Sequence, residues 1–133
     1  MRCWYWFIIL GIFATSCAGE KKDFEMYEVS EMASLMKQMA HMNEQLREKI
    51  LSGQDLGEFP ESFENILQAQ MTQNQEMDAF FKDHAQQFLD AHHQIYDDPS
   101  HAKEHFNLAI DACIKCHETK CPGPVVKIKK LKL

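Results

Sequence analysis

The chain has 133 residues, with 14 Lys and Arg, 20 Asp and Glu, and a formal net charge of −6 at pH 7. This length predicts a single domain of ordinary size. The acidic balance disfavours nucleic acid as a partner, because the phosphate backbone is bound by basic surfaces. It mildly favours protein partners that carry a basic docking patch.

The N-terminus has the layout of an export signal. A short basic start with Arg2 precedes an apolar run over residues 4–14, which is too short to span a bilayer comfortably. Small residues then follow up to Cys17. This end resembles the lipobox of bacterial lipoproteins, whose cysteine becomes the lipid-modified first residue, although Ala14 stands where that family usually has Leu. We therefore predict a lipoprotein signal peptide over residues 1–16 and lipid attachment at Cys17. An ordinary secretory signal is the alternative.

Polar, charged residues follow the predicted signal. Residues 17–27 are predicted to tether the lipid to the folded domain. Removing residues 1–16 takes away Arg2 and no acidic residue, so the mature chain would carry 13 Lys and Arg against 20 Asp and Glu, a balance of −7. The signal peptide and the lipid anchor together predict a protein of the bacterial cell envelope that faces the periplasm or the cell surface.

The remaining sequence predicts an all-α domain over residues 28–121. Apolar side chains recur at helical spacing, and no stretch alternates as a strand would. The predicted helices cover residues 30–51, 60–70, 74–96 and 100–120. Their short connections favour an antiparallel four-helix bundle, a fold that builds cofactor sites between facing helices.

The last predicted helix carries the run Cys113-Ile114-Lys115-Cys116-His117. This CxxCH pattern is typical of c-type haem attachment. Two thiols on one helical turn can reach the two vinyl groups of one porphyrin, and the adjacent imidazole can bind the iron. We predict one covalently bound haem c per chain, held by Cys113 and Cys116, with His117 on the iron. Export supports this interpretation, because bacteria attach haem covalently outside the cytoplasm.

Other sites for the cysteines are less favoured. A zinc or iron–sulfur site using Cys121 would usually need four ligands. A thioredoxin-like site would require a βαβ pattern. We expect His84 to be a core-edge residue satisfied by a hydrogen bond, with a lesser chance of binding iron. Solvated positions are expected for the histidines His41, His92, His93, His101 and His105.

A helical domain with CxxCH on its last helix resembles the class II c-type cytochromes, which include the cytochromes c′ and c556. The resemblance covers residues 28 to about 120. It implies a four-helix bundle, covalent haem c, and His117 as the proximal ligand. In low-spin members of the family a methionine of the first helix is the sixth ligand, and Met36 followed by Met39 fits that pattern best. Met39 and Met32 stay open as alternatives, and flexible core filling is the general alternative for methionines.

The resulting hypothesis is a membrane-tethered monohaem electron-transfer protein, not an enzyme, that exchanges electrons with redox partner proteins of the cell envelope. The main alternative is a five-coordinate, cytochrome c′-like protein that binds nitric oxide or carbon monoxide. A haem-bearing subunit of a larger complex and a homodimer also stay open. The Lys-rich tail, residues 122–133, is a solvated tail, a segment packed on the last helix near the haem propionates, or a docking element.

Overall fold

The computed structural model describes residues 28–133, so the predicted signal peptide, the tether and Cys17 lie outside the described residues. Within residues 28–133 the chain is helical and contains no strand, which confirms the all-α prediction for this part. The elements are α1 (Glu31–Ser52), a 3₁₀ segment (Glu61–Leu67), α2 (Ala79–Asp97), a 3₁₀ turn (Pro99–His101), α3 (Ala102–Lys120) and α4 (Val125–Lys129). None of the described helices is long and apolar enough to cross a membrane.

Helix α1 has caps at both ends that its sequence specifies. The Ser30 Oγ accepts a hydrogen bond from the Ala33 amide at 3.1 Å, which satisfies one of the free N–H groups of the first turn. Gly53 takes the left-handed conformation after the last turn, with φ 65°, and its N–H reaches the Ile50 carbonyl. The helix therefore begins and ends within one residue of the prediction.

Removing the cap of α1 should weaken the fold. The Ser30→Ala variant is expected to lose about 1 kcal/mol of unfolding free energy, the typical loss for an N-cap. The Ser30 hydroxyl also contacts the Thr72 hydroxyl at 2.8 Å, so a connecting segment loses a partner as well. Urea unfolding of Ser30→Ala beside Ser30→Asp checks this, because Asp retains the capping oxygen. Equal losses in both variants would contradict a capping role.

The short helix predicted over residues 60–70 is present, but it is shorter than expected and of the 3₁₀ type. The segment is a 3₁₀ helix, Glu61–Leu67, that follows Pro60. Its buried side chains, Phe63 and Ile66, are three residues apart. This is the repeat of a 3₁₀ helix, so a short 3₁₀ segment puts both on one side.

The third predicted helix begins later than expected. Asn74 has φ 64°, a left-handed conformation that interrupts a right-handed helix. Helix α2 instead starts at Ala79, where Asp78 Oδ1 accepts from the Phe81 amide at 2.9 Å. Asp is a favoured N-cap because its short side chain can bond to the first-turn amides. Residues 74–78 therefore belong to a connection.

The core consists of two apolar clusters. Helices α2 and α3, joined by the short turn at Pro99–His101, make the most extensive contact between elements. One cluster includes Met32, Leu35, Met39, Phe63, Phe81, Phe88, Leu89 and Ala112. The other includes Leu46, Ile95, Phe106, Ile110 and Leu131. The first cluster lies under the CxxCH motif, since Cys113 and Cys116 pack against it. The antiparallel four-helix arrangement stays a prediction.

The C-terminal tail packs on α3. Val125 and Leu131 are buried. The Lys132 ammonium lies 2.6 Å from both oxygens of Asp111, and the Lys129 ammonium is 2.9 Å from Glu118 Oε1. The tail is therefore packed on α3 rather than solvated, whereas a position of its lysines near haem propionates stays a prediction. Two of its lysines pair with carboxylates of that helix.

Candidate functional site

An apolar cavity of about 110 Å³ lies where α1, α2, α3 and the segment before α2 meet. Its lining includes Cys113, Cys116 and His117 from α3, Met32, Met36 and Met39 from α1, Phe81, His84 and Phe88 from α2, and Met71. The structure thus brings the three motif residues together with the predicted methionine, although α1 and α3 lie far apart in sequence. The other methionine of α1, Met42, lines a different cavity.

The two motif thiols are neutral in this setting. Burial raises the pKa of the Cys113 thiol to about 12, and the nearby Cys116 adds to the effect. Burial also raises the pKa of Cys116. A reactive redox thiolate needs the opposite shift, toward neutral pH or below. The pair therefore lacks the electrostatics of a thioredoxin-like centre.

The imidazole of His117 is held in one tautomer. Its Nδ1 lies 3.1 Å from the Cys121 carbonyl oxygen, which can only accept, so Nδ1 carries the proton. The Cys121 amide in turn donates to the His117 carbonyl at 3.0 Å, which closes the end of α3. In the neutral ring the lone pair is therefore on Nε2. Metal-binding histidines commonly have this arrangement, with the second nitrogen fixed by a carbonyl.

The methionines of α1 differ in exposure. Met32 and Met39 are 5% and 4% exposed and belong to the core cluster. Met36 is only partly buried and packs at the edge of that cluster. A methionine in that position can turn its flexible side chain without emptying the core. Of the three, Met36 is the one best placed to offer its sulfur to a ligand.

His84 is a second imidazole at the cavity. Its Nδ1 donates to the Phe80 carbonyl at 2.9 Å, so the expected hydrogen bond is present. The side chain is 14% exposed. It therefore lies at the edge of the core, as expected, with its Nε2 unprotonated in the neutral ring.

The expectation of a solvated His92 is wrong. The residue is 1% exposed and touches the rings of Phe63 and Phe88. Its Nε2 lies 3.2 Å from Asn43 Oδ1. The side-chain nitrogen of Asn43, Nδ2, donates to the Met39 carbonyl at 2.9 Å. Burial lowers the pKa of His92 to about 3, and the neighbouring His93 adds to this. The neutral ring thus links α2 to α1.

An ion pair closes one side of the cavity. The Lys120 ammonium pairs with Asp78 Oδ2, and this bond lowers the pKa of the Asp78 carboxyl. Because Asp78 also caps α2, the pair fastens the start of α2 to the end of α3. Lys120 itself lines the cavity, together with Thr72 and Gln75. The charge at the site is therefore confined to its edge.

The donor set fits a haem, but the cavity is small for one. Two adjacent thiols, an imidazole with a free Nε2 and several thioethers are the groups that hold haem iron and porphyrin. Small-molecule pockets usually measure about 300–1,000 Å³, so binding would require lining side chains to move apart. Several of these are methionines, the most adaptable apolar side chains. Among residues 28–133, no three or more His, Cys, Asp or Glu side chains form a group that could hold a metal ion.

Sequence reasoning missed part of the lining. Met71, Thr72 and Gln75 belong to a connection without helical periodicity, so no pattern marks them as cavity residues. For Lys120 the sequence predicts the end of a helix but not a place in the cavity lining.

No protein-family model matches the chain, and no curated protein or solved structure matches it either.

Proposed function

We propose that this chain is a monohaem c-type cytochrome that transfers electrons, with haem c bound through Cys113 and Cys116 and the iron held by His117 and Met36. The observation that carries the proposal is the convergence of these four side chains at one apolar cavity. The proposal includes the four-helix bundle of class II cytochromes. It does not require any substrate turnover.

The residues of the cavity would each have a separate task. The bound haem would supply an iron that changes its oxidation state by one electron. The Cys121 carbonyl holds His117 in the tautomer that presents Nε2. The apolar side chains of α1 and α2 exclude water from that nitrogen. Binding of the Met36 sulfur together with His117 would raise the reduction potential and would disfavour binding of a gas.

The membrane tether belongs to the same proposal. It rests on the sequence before residue 28, in which Cys17 would carry the lipid. A lipid-anchored cytochrome would exchange electrons with other proteins of the cell envelope. The acidic composition suits partners with a basic docking patch.

Optical spectroscopy tests the axial ligands. The full chain, made in a bacterium that attaches haem to CxxCH motifs, is expected to give a low-spin oxidised spectrum with a sulfur-to-iron band near the red edge. That band should disappear in Met36→Ala, because alanine has no thioether. Met71→Ala is the matched control, since it removes another cavity methionine, and it should keep the band.

A high-spin, five-coordinate spectrum of the unaltered protein would contradict electron transfer through a Met36-bound iron. It would favour the alternative, a protein that captures nitric oxide or carbon monoxide. Rapid binding of carbon monoxide to the reduced form would then provide independent support for that alternative.

A further inference from the structure

His84 has a position and a bonding pattern that the proposed ligand pair does not use. It lies in the first two turns of α2 and lines the same cavity as His117 and Met36. Its side chain is 14% exposed, so most of the ring is shielded from water. An imidazole in an apolar cavity beside an iron site is a potential ligand.

The ring of His84 is fixed in the way that a ligand requires. Nδ1 lies 2.9 Å from the Phe80 carbonyl, which makes this nitrogen the donor and leaves Nε2 with its lone pair. His117 shows the same arrangement, in which Nδ1 is bound by a carbonyl four residues away. The cavity thus contains two imidazoles whose Nδ1 atoms are both bound to a carbonyl, so that in the neutral ring of each the lone pair lies on Nε2.

Two neighbours lie close to the ring of His84. The Phe80 ring packs against the imidazole with 4.2 Å between centroids, which limits its rotation. The Asp83 carboxylate is 3.9 Å from Nδ1. At this distance the carboxylate makes no hydrogen bond to Nδ1, whose partner remains the Phe80 carbonyl.

We infer that His84 is a reserve iron ligand, whose Nε2 binds the haem iron when the Met36 sulfur does not. The inference rests on the proposed function, because it requires a haem at this cavity. It goes further by assigning a second ligand pair, His117 with His84. The soft thioether is replaced by a nitrogen donor, which changes the reduction potential without opening the iron to gases.

Three variants test the inference by spectroscopy and potentiometry. Met36→Ala is expected to lose the sulfur-to-iron band yet remain low-spin, and its reduction potential should fall below that of the unaltered protein. The double variant Met36→Ala with His84→Ala should become high-spin. Met36→Ala with His93→Ala is the matched control. His93 lies on the same helix but pairs with Glu64, so this variant should remain low-spin.

The outcomes separate the inference from the proposed function. A high-spin Met36→Ala protein beside a low-spin unaltered protein overturns only the role of His84. A double Met36/His84 variant that stays low-spin overturns it too, because another residue must then bind. A high-spin unaltered protein refutes both. Circular dichroism and restoration of the low-spin form by added imidazole verify that the double variant retains its fold and cavity.

Discussion

Replacing both Cys113 and Cys116 with alanine is expected to abolish covalently bound haem. In the proposed function each thiol would supply one bond to the porphyrin, and both line the cavity beside His117. The loss should be complete in a haem stain of the denatured protein, where only covalent attachment survives. Intact mass measurement should show the bare polypeptide, while the unaltered protein carries the mass of one haem.

The matched control for this experiment is Cys121→Ala. Cys121 also lines the cavity, but it lies outside the CxxCH spacing, and only its backbone is engaged with His117. The variant keeps that carbonyl, so His117 keeps its tautomer, and covalent haem should be retained in full. Haem that persists on the denatured double variant would refute attachment at the motif. Loss of haem in Cys121→Ala would show that the third thiol takes part.

The helices with local end signals could be predicted from the sequence. Ser30 and Gly53 mark the ends of α1, and both function as caps. The second segment was harder, because Phe63 and Ile66 are spaced by three, a spacing that α and 3₁₀ helices share. The start of α2 depended on the left-handed residue Asn74, which no apolar pattern reveals.

The burial of His92 follows from its position on α2 rather than from its polar side chain. Phe81, Ala85, Phe88 and Ile95 are buried on α2, and His92 occupies the next step of the same stripe, four residues after Phe88. Asn43 occupies the corresponding place on α1, four residues after Met39. Each polar residue alone looks like a surface position. The hydrogen bond between the two side chains offsets part of the cost of removing them from water. The apolar periodicity of a single sequence does not reveal which polar residues pair in this way.

The cavity itself could be predicted only in part. The CxxCH spacing identifies three of its residues without any structure, because the chemistry demands that spacing. The choice of Met36 required a family resemblance, and the structure adds that Met32 and Met39 are committed to the core. The edge formed by Lys120 and Asp78 depends on where α2 begins relative to the end of α3. Contacts between the ends of two helices depend on the tertiary structure, so the local sequence pattern does not predict them.

Acid is expected to destabilise the fold through His92. The pKa of this residue is about 3 in the folded protein and near its ordinary value of 6.5 when unfolded. Between these values the unfolded chain binds more protons, so the unfolding free energy falls as the pH falls below 6.5. From pH 7.5 to pH 5 the contribution lost is about 2 kcal/mol, at 1.36 kcal/mol per pKa unit.

Urea unfolding at both pH values checks this in the unaltered protein and in His92→Gln. Glutamine can still donate to Asn43 but does not titrate, so its unfolding free energy should vary less over this range. His41→Gln is the matched control, because it removes an exposed histidine whose ring bonds Gln45 rather than His92, and it should keep the pH dependence of the unaltered protein. His101, whose pKa is raised by Asp98, acts with the opposite sign over the same range, and it is present in all three proteins.

Identical pH dependence in His92→Gln and in the unaltered protein would refute the role of His92. His92 links the stability of the fold to the cavity, because it bonds to the Asn43 side chain, which in turn donates to the Met39 carbonyl. That carbonyl lies one turn beyond Met36 on α1. Because the folded protein keeps His92 neutral down to about pH 3, this link between α2 and α1 should persist in the molecules that stay folded. The sulfur-to-iron band should therefore be lost together with the folded domain rather than before it.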